Sequence, residues 1–180
     1  MLLIVIVLIV LVIWAVTRIG KTVIEVRGHW QHYFDTLQFS SQEFYTAIEA
    51  TVKAKEIPQV STSRITYSEG GMLSANREYL RISRGTIVFD ICAAPFAKGF
   101  FISSWQGDLP NITLMIVSAI PFIGKSMAQG YANKTYYQLD AEQMFTSAVH
   151  QGVLEAIDTV TNTQGIRQLS ELERTFHQQK

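Results

Sequence analysis

The sequence predicts an α+β protein: an N-terminal transmembrane helix, then one domain with a mainly antiparallel sheet of about five strands packed by helices. Three observations predict this. The first seventeen residues, MLLIVIVLIVLVIWAVT, carry no charged side chain. From residue 60 the apolar residues alternate with period 2, the mark of strands with one buried face. Residues 140–162 return to helical spacing with a broad apolar face, as in a helix packed on a sheet.

At a rise of about 1.5 Å per residue, the opening run with Ile19 approaches the thickness of the hydrocarbon core. A cleaved signal peptide would need a basic n-region and small residues at a cleavage site, and neither precedes or follows the run. Residues 1–17 are therefore expected to be a retained signal anchor. Arg18, Lys21 and Arg27 lie on its C-terminal side and no Lys or Arg lies before it. Positive flanks stay inside, so the N-terminus is expected outside and the following domain in the cytoplasm. The single cysteine, Cys92, excludes an intrachain disulfide and accords with a reducing compartment. The formal net charge is zero, which argues against a nucleic-acid surface.

Beyond the anchor, Ile19, Val23, Val26, Trp30, Tyr33 and Leu37 follow a 4-3-4-3-4 spacing. That is a heptad seam, and it predicts a juxtamembrane helix over 18–38 that either docks on its own domain or self-associates. The α+β domain is expected over 39–169. Ser40 and Glu43 have capping-box spacing for a helix that ends before Pro58. VSTSRITY (60–67), REYLRIS, TIVFDICA, GFFISSW (99–105) and TYYQL (135–139) read as strands. A two-residue turn at Arg84-Gly85 would set Leu80 against Phe89, Ile82 against Ile87, Tyr79 against Asp90 and Arg81 against Val88. Asp140 and Gln143 would cap the long helix, with Gly165 just past its end. Residues 170–180 are expected to form a short helix, opened by SELE, and a tail.

The uncharged run Leu109–Gly124 has sixteen residues with Pro110 and Pro121, too short and too interrupted to span a bilayer. Its apolar residues surround the helical wheel, so it is expected to be buried against the sheet or to meet a membrane or partner. In the second case the contact residues are Ile112, Met115, Ile116, Ile120 and Phe122.

Asp90, inside IVFDICAA, is costly to bury unpaired, and Arg77 and Arg81 on the neighbouring strand are candidates for a structural ion pair with it. A catalytic Cys92 would need a base, and nothing in the sequence brings His150 to it. His29, His32 and Asp35 recur every three residues without matching a metal motif, and neither SEGG nor SRGT is a phosphate loop. Arg64, Arg77, Arg81, Arg84 and Lys98 form a basic cluster interleaved with acidic residues. NIT and NKT match the glycosylation pattern, which is idle in the cytoplasm. No catalytic residue, metal or cofactor is assigned. The expectation is a single-pass, membrane-anchored cytoplasmic binding module, a non-catalytic accessory or scaffold subunit. Its partners are the lipid bilayer and either copies of itself or another membrane protein. The alternative is a membrane-active effector or lipid sensor using 109–124, and behind it an enzyme on a membrane-linked substrate.

Overall fold

The computed structural model describes residues 25–68, 76–111 and 134–178. They form six strands and two helices in the order β1 (Glu25–Phe34), α1 (Ser41–Ala54), β2 (Ser61–Ser68), β3 (Asn76–Arg84), β4 (Ile87–Phe96), β5 (Gly99–Asp108), α2 (Tyr136–Thr163) and β6 (His177–Gln178). The strands make one sheet in the order β2-β3-β4-β5-β1-β6, and every neighbouring pair is antiparallel. The fold is therefore α+β. Among the described residues no helix is long and apolar enough to cross a membrane.

Side chains alternate across the sheet. One face presents Trp30 and Phe34 of β1, Leu80 and Ile82 of β3, Phe89, Ile91 and Ala93 of β4, and Phe100 and Ile102 of β5. Phe44, Ile48 and Val52 of α1 and Phe145, Val149, Val153, Ala156 and Val160 of α2 close over that face in a single core. Their spacings of three and four put each set on one side of its helix. Val88 and Cys92 are fully buried on the opposite face, which we call the back face.

Several elements differ from the sequence expectation. Residues 25–34, expected in the 18–38 helix, form β1 between β5 and β6. A four-residue spacing such as Trp30 to Phe34 satisfies both periods; Val26 and the aromatic residues here favour a strand, and Gly28 disfavours a helix. Trp30 and Leu37 are buried in the core while Val26 and Tyr33 are exposed, so these four share no seam. Ile19 and Val23 lie outside the described residues.

The β3–β4 turn is Gly85-Thr86 rather than Arg84-Gly85. Gly85 takes φ of +61°, as the leading glycine of a two-residue hairpin turn does. The register moves with it: Leu80 pairs Ile91, Arg81 pairs Asp90 and Ile82 pairs Phe89. The shift is an even number of residues, so every side chain keeps its face.

TYYQL is the opening of α2. Thr135 caps it, accepting from the Gln138 amide while the Gln138 side chain accepts from the Thr135 amide. This reciprocal box starts the helix more than a turn before the expected cap at Asp140. Ser40 makes no side-chain cap bond to α1. SELE forms a turn, and two of the tail residues pair with β1 as β6. The run 109–124 falls almost wholly outside the described residues, including Ile112, Met115, Ile116, Ile120 and Phe122. Pro110 is buried at its start.

Candidate functional site

The back face holds a buried charged group, which is unusual enough to require an account. Pairing of β3 with β4 sets Arg81 directly opposite Asp90, both on this face. The guanidinium grips the carboxylate in two places: Nε donates to Oδ1 at 2.7 Å and Nη2 to Oδ2 at 2.7 Å. Tyr67 of β2 completes a ring, donating its hydroxyl to Asp90 Oδ2 at 2.8 Å and accepting from Arg81 Nη2 at 2.8 Å. Arg81 and Asp90 are each only 4% exposed. Taking both charges out of water costs several kcal/mol each, and bidentate geometry is the arrangement that best offsets it. Burial first, then the hydrogen bond to Asp90, push the Tyr67 phenol well above its ordinary value, so the ring keeps its proton.

Asp90's ion pair is with Arg81 and not with Arg77, the other candidate partner, whose charge acts instead on Tyr79 and the Cys92 thiol. Burial pushes that thiol up, with Arg77 pulling the other way, so Cys92 remains a protonated, buried thiol and a poor nucleophile. His150 sits on α2, across the sheet from Cys92, and contacts the carbonyl of Arg174 at 2.7 Å. The two therefore make no nucleophile and base.

Above the ring lies a cavity of about 230 Å³ lined by Val26, Tyr67, Tyr79, Asp90, Trp105, Gln106 and Gly107. The β4–β5 register puts Trp105 opposite Asp90. Tyr67 and Tyr79 meet edge to face at 5.2 Å, and His29 stacks on Trp105 at 5.0 Å. His177 of β6 continues the row beyond His29. The result is an aromatic-walled depression whose floor is polar but carries no net charge.

The remaining sequence candidates are dispersed. His29 is on the back face and His32 on the helix side of β1, so they share no ligand. Among the described residues no group of His, Cys, Asp or Glu is placed to hold a metal ion. The basic cluster divides: Arg64 pairs with Glu49 across the helix side, Arg84 donates to the carbonyls of Pro58 and Ala141, and Arg81 is in the ring. Nothing in the sequence singles out Tyr67 or Trp105. Their period-2 strands place them on a face, but only the β2–β3 and β4–β5 registers bring them to Asp90.

No family model matches the chain, and no curated protein matches it. Two solved structures are similar to it. One is the crystal structure of TTHA0849 from Thermus thermophilus, at 10% identity over 74% of this chain and 97% of that one, with a TM-score of 0.30. The other is the di-domain ARO/CYC StfQ from the steffimycin biosynthetic pathway, at 10% identity over 78% of this chain and 52% of that one, also with a TM-score of 0.30. Likenesses this distant bear on neither activity nor ligand.

Proposed function

We propose that this chain is a membrane-anchored, cytoplasmic binding module, a non-catalytic accessory subunit whose binding surface is the back face of its sheet. The observation that carries the reading is the aromatic-walled cavity over the neutral Arg81–Asp90–Tyr67 ring. Its volume decides what it suits. At about 230 Å³ it is below the range of roughly 300–1,000 Å³ that encloses a small-molecule ligand. It has room for one bulky side chain, the usual anchor of a protein partner. Aromatic walls favour an apolar or aromatic insert, and the floor oxygens of Asp90 and Tyr67 favour one with a hydroxyl or amide hydrogen at its tip.

Support for the membrane half of the reading comes from the uncharged run 1–17 and from Arg18 and Lys21 after it. The test is site-specific photocrosslinking in native membranes. A photoreactive residue at Tyr79 is expected to give a discrete protein adduct that Trp105→Asp abolishes. The same group at exposed Glu171, away from the cavity, is expected to give none. Equal adducts at both positions would contradict the reading.

A further inference from the structure

The described chain ends of this domain converge. Glu25, where β1 begins, pairs with Asp108 at the end of β5. Asp108 pairs with Ile87, and Ile87 with Arg84 beside the Gly85-Thr86 turn. Asn111 follows two residues after Leu109, whose amide is bonded to the Thr86 carbonyl. Arg84 in turn donates to the Ala141 carbonyl of α2 at 3.0 Å. Everything at this end is therefore within a few residues of the N-terminal part of α2.

Five residues precede Ala141 in α2, from Tyr136, about 7 Å of helix at 1.5 Å per residue. Large apolar side chains there are exposed: Tyr136 is 88% exposed, Tyr137 82% and Leu139 43%, and Met144 in the next turn is 73% exposed. Tyr137 and Met144 also border a groove of about 550 Å³ shared with Ile57 and Pro58. Large apolar side chains clustered in two turns of a well-capped helix call for a partner surface.

Three features identify that surface. Residues 18–24 are the only link between the uncharged run and Glu25. Seven residues reach at most about 25 Å, so this end of the domain is held close to whatever the run enters. Of the nearby charges, Lys134 pairs with Glu142 at 2.6 Å and Arg27 with Asp108, and the opposite charges of Arg84 and Asp140 border the same groove. A charge-balanced surface offers no electrostatic attraction to anionic headgroups. Tyrosine is a residue of membrane–water interfaces, where its ring is apolar and its hydroxyl hydrated.

We infer that the start of α2, through Tyr136, Tyr137, Leu139 and Met144, rests in the interface of the bilayer that holds the anchor. The inference rests on the anchored reading above. It makes the domain stand on the membrane by this end. The contact is apolar, so neutral phosphatidylcholine suffices.

The test uses the full chain reconstituted in phosphatidylcholine vesicles. In a Cys92→Ala background, single cysteines at Tyr137, Met144 and Thr163 carry an environment-sensitive fluorophore. All three positions are exposed, so the core is left intact. Thr163 ends α2 at the opposite pole, about 39 Å from Tyr137 along the helix. Nitroxide-bearing lipid is expected to quench the label at 137 at least about threefold more than at 163, with 144 between them. Raising the salt to about 0.5 M should leave this unchanged. A chain that does not float with the vesicles would overturn the anchored reading and this inference with it. A chain that floats, with 137 quenched no more than 163, would overturn the inference alone. So would a label at 137 that is shielded from water but not reached by lipid quencher, which would mean a protein or second copy occupies the site. Quenching lost in salt would overturn the apolar contact.

Discussion

Asp90 is conspicuous in the sequence because a carboxylate inside IVFDICAA cannot be buried alone. The structure pairs it with Arg81, and the pair's energetics make a sharp prediction. Arg81→Met leaves Asp90 buried without its counter-charge, with only the Tyr67 hydrogen bond left from the ring, and is expected to cost about 3–5 kcal/mol, whereas the double variant Arg81→Met/Asp90→Leu recovers most of that. Urea unfolding of the chain in detergent, followed by tryptophan fluorescence, measures both. A double variant as unstable as the single one would show that the ring contributes more than mutual neutralisation. Tyr45 is a second satisfied group in the core: its hydroxyl donates to the Glu78 carbonyl at 2.8 Å and accepts from the Ala93 amide at 3.0 Å. Burial pushes its pKa up to about 12, so it acts as a neutral bridge. Titration enters through His150 and His32, both held below the usual histidine value by burial. The unfolded chain then binds protons first as pH falls. Stability is expected to be level above about pH 6.5 and to decline below it, and His150→Gln should shallow the decline. Thermal unfolding across that range checks the sign; stability that rises on acidification would contradict it.

At the scale of elements, legibility depends on how many periods a segment can satisfy. β3, β4 and β5 read clearly, because short β-branched and aromatic runs bounded by turn residues are strand signals. β1 does not, because Val26, Trp30, Tyr33 and Leu37 are spaced as a helix would space them and only the strand pairing to β5 decides. Gly28 is the available signal against a helix. A Cβ there would sit 2.8 Å from the His177 carbonyl oxygen, so glycine is what lets β6 approach β1. Gly28→Ala is expected to detach β6, seen as loss of amide-exchange protection at His177 and Gln178 with the rest of the sheet unchanged. The start of α2 is hidden by two adjacent tyrosines, which favour strands, and is decided by the Thr135–Gln138 box. Thr135→Ala should cost about 1 kcal/mol and raise exchange locally over the first turn of α2. Uniform exchange across all of α2 would mean the cap is not what holds that turn.

For the molecule as a whole, the sheet divides two kinds of burial. The helix side is an apolar core of ordinary composition, and the back face carries a polar ring under aromatic walls. Composition and period 2 sort residues to these faces without saying which face binds, since both read as buried. The sequence also places the expected anchor in residues 1–17, where the membrane reading begins and on which the bilayer contact of α2 depends. Carbonate extraction of membranes from cells expressing the full chain, beside a chain lacking residues 1–17, tests that most directly. The full chain is expected to stay in the membrane pellet and the shortened chain to be extracted. Extraction of the full chain would contradict the anchored reading.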